Sequence, residues 1–171
     1  MPPLKTKKKL VAGAALIAVV GAFAADILVT TVPEHEGEVL KGYLDPVGIP
    51  TKCYGDTYDV VVGQKYTPEE CLRSLEKQLI AHAKPVLACV PELEGHPEQL
   101  AASVSLAYNI GTSAFCKSSI ARNFRAGNWY SACAGFSAWN KAGGKILKGL
   151  VRRRADERAI CETNLPTGRA K

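Results

Sequence analysis

A chain of 171 residues has room for one ordinary domain, and 47% hydrophobic with 22% charged residues is the composition of a folded protein, not a disordered one. The net charge of +6 does not point to nucleic acid, because Lys5, Lys7, Lys8 and Lys9 carry most of it. The other cationic stretch, Lys141 to Arg158, lacks the aromatic interleaving of a single-strand-binding surface and suits an anionic polymer instead.

After the basic start, residues 10–32 read LVAGAALIAVVGAFAADILVTTV, with Asp26 as the single charge. As one helix, such a segment would span roughly 35 Å at about 1.5 Å per residue, enough for a bilayer core. The lysines would keep the N-terminus cytoplasmic and send everything after Val32 to the other side. Insertion is expected to be marginal. The apolar side chains supply roughly −3 to −7 kcal/mol, Asp26 opposes with up to about 3 kcal/mol, and the many alanines add little. Ala22-Phe23-Ala24 has the small-x-small pattern of a signal-peptide cleavage site. Ala14, Ala18 and Ala22 would instead give a permanent anchor a small-residue packing face. An uncleaved span that later leaves the membrane is the third reading. Pro33 is expected to interrupt the helix before Glu36.

Residues 33–171 read as one domain, with residues 1–32 as the basic N-terminus and membrane segment. Between 41 and 66, Pro46, Gly48, Pro50, Gly55 and Gly63 surround short β-branched runs such as Val60-Val61-Val62. This predicts a hairpin or small three-stranded sheet. Thr67-Pro68-Glu69-Glu70 is a capping box with proline at the first helical position. Leu72, Leu75, Leu79 and Ala83 then share a face up to Pro85. Residues 98–110 are apolar on nearly every side, as in a central buried helix. Further helices are expected over about Ser118–Ala126, Trp129–Trp139 and Leu150–Thr163. The sum is an α+β fold, a small sheet lobe and a helical lobe with a cleft between them.

The six cysteines, Cys53, Cys71, Cys89, Cys116, Cys133 and Cys161, have neither C-x-x-C spacing nor a nearby histidine, so no metal is expected. An even, scattered set suits disulfides in an oxidising compartment such as the periplasm. Many pairings are open. The order of elements favours Cys53–Cys71, Cys89–Cys116 and Cys133–Cys161.

The chemistry-bearing stretch is Glu36-Gly37, Tyr43-Leu44-Asp45 and Thr51-Lys52-Cys53-Tyr54-Gly55, of the form E-x8-D-x5-T. Cleaving a glycosidic bond takes a protonated carboxyl at the leaving oxygen and a second carboxylate across the sugar. A glutamate at a helix end among apolar neighbours can keep its proton high enough in pH to donate it. An aspartate in a polar hairpin stays ionised, and a strand threonine can hold the attacking water. Glu34 and Glu38 compete with Glu36. Gly37, where a helix would end, favours Glu36.

In these motifs the chain resembles the phage-type lysozymes of glycoside hydrolase family 24, over about residues 34 to 163. Tyr108-Asn109-Ile110-Gly111 matches the central-helix motif. Trp139-Asn140-Lys141-Ala142-Gly143-Gly144 and Gly149-Leu150-Val151-Arg152-Arg153-Arg154 with Glu157-Arg158 match further on. The resemblance implies a lysozyme-like fold and cleavage of the β-1,4 bond between N-acetylmuramic acid and N-acetylglucosamine in peptidoglycan. It implies Glu36 as acid, Asp45 and Thr51 as the pair that positions water, and no cofactor. Tyr43, Asn109 and one arginine of 152 to 154, taken as Arg152, would touch substrate. Where many relatives carry histidine after the strand glycine, this chain has Asp56. Trp139 reads as core more readily than as a sugar platform.

The N-terminus resembles that of signal-arrest-release endolysins, which are exported, held at the inner membrane and then released, here as an expected monomer. The family builds a helix from the dozen residues before its glutamate, so freeing residues 25–35 would complete the site. A lytic transglycosylase needs the glutamate but neither Asp45 nor Thr51. A membrane-tethered, non-catalytic wall-binding module would have lost a carboxylate.

Overall fold

The computed structural model describes residues 10–166, so the basic residues Lys5, Lys7, Lys8 and Lys9 lie outside the described part. The segment expected to be one straight span folds as two helices instead. These are α1 (Ala14–Val20) and α2 (Ala22–Glu36), bent by 113° at Gly21. Among the described residues no single helix is long and apolar enough to cross a membrane.

Leu16, Val20, Ala24, Ala25, Leu28, Val29 and Val32 are buried in the core, and each large one contributes about 1.5–3 kcal/mol relative to exposure. Asp26 lies on the exposed face. The backbone N–H of Gly13, at the start of α1, donates to the Glu76 carboxylate. Pro33 does not interrupt α2. It sits where its ring removes one hydrogen bond near the end of the helix, and the last turn still closes when Gly37, at φ +76°, donates its N–H to the Pro33 carbonyl.

The hairpin follows as β1 (Val39–Leu44) and β2 (Pro50–Cys53), antiparallel with Tyr43 opposite Thr51 and Leu44 opposite Pro50. Val60-Val61-Val62 does not form a strand. A side chain at Gly42 would collide with the Val61 carbonyl, so this run crosses the hairpin as a turn lying against Gly42, with only a bridge from Lys41 to Lys65.

Helix α3 (Pro68–Cys89) opens with both halves of the Thr67–Glu70 capping box and continues through Pro85. Helix α4 (Pro97–Ile110) is buried from Glu98 to Ala107, packed between α2, α3 and α8. Around it run α5 (Thr112–Lys117), α6 (Ser119–Arg125, with Ser118 as its cap), α7 (Trp129–Ala134) with a 3-10 turn to Ala138, and α8 (Lys148–Glu162). A second hairpin, β3 (Lys141–Ala142) and β4 (Lys145–Ile146), turns at Gly143-Gly144. Trp139 is half-buried against the core.

Three disulfides link Cys53 to Cys71, Cys89 to Cys116 and Cys133 to Cys161. They join the hairpin to α3, the end of α3 to α5, and α7 to α8.

Candidate active site

Glu36 is the last residue of α2, and its side chain is 20% exposed. Its Oε1 accepts a hydrogen bond of 2.6 Å from Arg153 Nη1 on α8. A methyl at Gly55 would stand 3.6 Å from its Oε2, so the end of the first hairpin closes over the carboxyl. The apolar surround expected for Glu36 is therefore replaced on one side by a guanidinium. Glu34 is exposed. Glu38, also exposed, accepts from Tyr54 OH at 3.0 Å. Burial and that acceptor push the Tyr54 phenol up to about 12.

The hairpin holds its functional candidates by local bonds. Asp45 Oδ1 accepts from the backbone N–H groups of Val47 (3.0 Å) and Ile49 (2.8 Å), an Asx-type turn at the tip between β1 and β2. Thr51 is buried, and its hydroxyl donates to the Ile49 carbonyl at 2.9 Å. With its proton committed, that hydroxyl has only acceptor capacity left. Tyr43 faces Thr51 across the ladder, so the two side chains share one face of the hairpin.

Asp56 is buried. It binds the Ser74 hydroxyl on α3, accepts from Tyr58 N–H at 2.9 Å and lies 3.8 Å from Lys52 Nζ. These contacts make it a tie between hairpin and helix.

Helices α4 and α8 supply the opposite wall. Tyr108 donates to the Tyr54 carbonyl at 2.8 Å and so bridges α4 to the hairpin lobe. Its phenol is pushed well above the usual tyrosine range, first by burial and then by the Glu36 carboxylate. Asn109, exposed at the end of α4, accepts from Arg154 Nη1 at 3.1 Å.

Of the three arginines, the structure brings Arg153 and Arg154, and not Arg152, to the candidate residues. Arg152 is exposed, whereas Arg153 and Arg154 are buried and reach Glu36 and Asn109. The helical phase of α8 decides this, because only positions 153, 154 and 157 turn inward over this stretch. Glu157, which the motif match includes without a role, and Ser105, which no motif singles out, complete the network. Glu157 Oε1 accepts from Ser105 Oγ (2.7 Å), Arg153 Nε (3.0 Å) and Arg154 Nη2 (2.9 Å). The signal available in the sequence was the i,i+3 and i,i+4 spacing of Arg154 and Arg153 with Glu157.

His35 lies 3.8 Å from the Asp156 carboxylate. Its imidazole is held below the usual histidine range, first by burial and then by the Arg153 cation.

Known proteins are similar to this chain in sequence and fold. The chain is 36% identical over 148 residues to the SAR-endolysin of Enterobacteria phage P21, covering 82% of this chain and 88% of that one. Among solved structures it matches P22 lysozyme at 30% identity with a TM-score of 0.69, covering 88% of this chain and 97% of that one. It matches the active form of the P1 phage endolysin at 22% identity with a TM-score of 0.77, covering 94% and 98%; that likeness bears on the fold alone. The Phage lysozyme family profile spans residues 33–157, from just before Glu36 through Glu157. With that match across the whole site, the chain belongs to the phage lysozyme family.

Proposed function

We propose that this endolysin hydrolyses the β-1,4 bond between N-acetylmuramic acid and N-acetylglucosamine in peptidoglycan, with Glu36 as the general acid. The observation that carries this is the seat of Glu36. It is a mostly buried carboxyl at the end of α2, gripped by Arg153 and closed over by Gly55 of the hairpin. The Glu36 proton goes to the leaving oxygen as the glycosidic bond breaks. Asp45 and Thr51 position the water. Thr51 Oγ, already donating to Ile49, accepts one water hydrogen, and the Asp45 carboxylate takes the proton that water loses on attack. A water between enzyme carboxylate and sugar gives inversion at the anomeric carbon. Tyr43 and Asn109 border the sugar.

Residues 1–32 form the membrane-holding segment and residues 33–171 the catalytic domain. Residues 10–32 sit in the inner membrane after export, with the domain in the periplasm. Release lets them fold as α1 and α2, and the enzyme then acts as a soluble monomer. Support comes from the weak apolarity of the segment and from the likeness to the P21 SAR-endolysin. It also comes from the helix that ends on Glu36 being built from residues of that segment. The site is thus incomplete while the segment is inserted.

The test is turbidity loss of permeabilised Gram-negative cells. Wild type should clear them and folded Glu36→Gln should not. The product should be a reducing sugar, since a 1,6-anhydro product would mean a lytic transglycosylase. For the release step, the protein is anchored by a permanent helix, with or without a flexible linker between Val32 and Glu36. Near-normal activity on soluble wall fragments without the linker would show a site already formed before release.

A further inference from the structure

We propose that Glu157 is a positioning residue that places both arginines of the cleft, and through them Glu36 and Asn109. This rests on Glu36 being the acid.

Glu157 is fully buried and touches neither cleft residue. Its Oε1 takes three donors, Ser105 Oγ, Arg153 Nε and Arg154 Nη2, and its Oε2 lies 2.7 Å from Arg154 Nε. Arg153 consequently has each edge of its planar guanidinium assigned. Nε goes to Glu157, Nη2 donates to the Ser105 carbonyl at 3.2 Å, and Nη1 is left pointing at Glu36. Arg154, held by Glu157 along its other edge, turns Nη1 to Asn109. A planar fork gripped on two sides has no rotational freedom on the third. One buried carboxylate thereby sets the direction of two cations that reach Glu36 and Asn109.

Its charge acts as well. Arg153 stands between two carboxylates, so its positive charge is shared. A neutral residue at 157 would remove a negative charge that offsets the Arg153 cation next to Glu36. The other charged or titratable groups around Glu36 are Tyr108 from α4, with Asp56 beyond it, Arg154 from α8, and His35 on α2 beside Asp156. None of them bonds Arg153 as Glu157 does.

Glu157→Gln keeps an acceptor for the three donors at Oε1 but turns an amide N–H₂ toward Arg154 Nε. Its fold is checked first by thermal melting and circular dichroism, and the enzyme is assayed in the cold. In the folded variant kcat should fall about tenfold or more, as expected for a misplaced catalytic group. KM should rise through Asn109. The basic limb of kcat/KM against pH should move down.

Ser105→Ala removes one bond to Glu157 but leaves every charge, so it should leave that limb in place. A folded Glu157→Gln enzyme with the wild-type limb and kcat would overturn the proposal. Should that variant not fold, Glu157→Asp is read instead. It keeps the charge but withdraws the carboxylate by one methylene, so kcat should drop, and wild-type kcat would overturn the proposal equally. Glu36→Gln separates this outcome from the functional reading. If that variant kept its activity, Glu36 would not be the acid, whatever the Glu157 variants did.

Discussion

Arg153 Nη1 and Glu36 Oε1 lie 2.6 Å apart, although 117 positions separate the two residues in the chain. The bond ties the last residue of α2 to α8. Removing Arg153 strands Glu157 and Glu36 with one partner fewer, and a broken buried pair costs about 3–5 kcal/mol. Arg153→Gln should therefore lose most activity and melt well below wild type. Arg152→Gln, on the exposed face, should change stability by less than about 0.5 kcal/mol and leave turnover near normal. Calorimetry and turbidity assays of both variants check the contrast.

Asp45→Asn keeps Oδ1 as an acceptor for Val47 and Ile49 N–H, so the turn should survive while the charge is lost. Its kcat should fall about 10²–10⁴-fold with an unchanged melting temperature. Thr51→Ala should impair turnover too, and Thr51→Ser should restore part of it. Proton NMR of the first product should show the inverted anomer, the outcome expected of two carboxyls that stand roughly 6.5–9.5 Å apart. A retained anomer together with an active Asp45→Asn enzyme would remove the water-positioning role.

The Cys133–Cys161 bridge closes a sequence separation of 28 residues between α7 and α8. Replacing both cysteines by alanine should cost about 3 kcal/mol, which at this chain length lowers the melting temperature by about 6–12 °C. Thiol labelling of the oxidised native protein should find no reactive cysteine.

His35 gives stability a pH dependence of defined sign. Burial and Arg153 hold its imidazole below the ordinary histidine value of about 6.5. The unfolded chain therefore takes up a proton that the native state resists. The stability is fully present above about pH 6.5 and is lost as pH falls through the window below it. The melting temperature should decline over that window, and His35→Gln should flatten the decline. An equal slope in both proteins would assign the dependence to other groups.

Much of this was legible because it depended on local rules. Gly37 marked the helix end that carries Glu36, Thr67 and Glu70 spelled out a capping box, and the spacing of the motifs placed the hairpin. What could not be read depended on phase or on distant contacts. Choosing Arg153 over Arg152 needs the phase of α8 and the position of Glu157 within it. The β-branched run at Val60 fails as a strand because it lies over a glycine of another element. Pro33 was read as an interruption, but a proline in the last turns of α2 forfeits one hydrogen bond while the packing of Leu28, Val29 and Val32 holds the helix together. The Gly143-Gly144 turn of β3 and β4 carried an available hairpin signal inside a stretch read only as a family motif.

On the tethered reading, the corner at Gly21 bears on how the segment divides its time between two solvents. At φ +83° and ψ 157° its backbone occupies a region nearly closed to other residues. Nothing stands within 4 Å of where a side chain would begin, so the restriction is torsional and owes nothing to crowding. In a straight helix the same glycine costs about 1 kcal/mol relative to alanine. In the corner, alanine would cost about 1–3 kcal/mol relative to glycine. Both penalties have the same direction, and one methyl group would tilt the segment by about 2–4 kcal/mol toward the extended, lipid-embedded form. On the tethered reading, the timing of lysis is thus weighted by a single backbone torsion, and Gly21→Ala would delay lysis without altering any atom of the catalytic cleft.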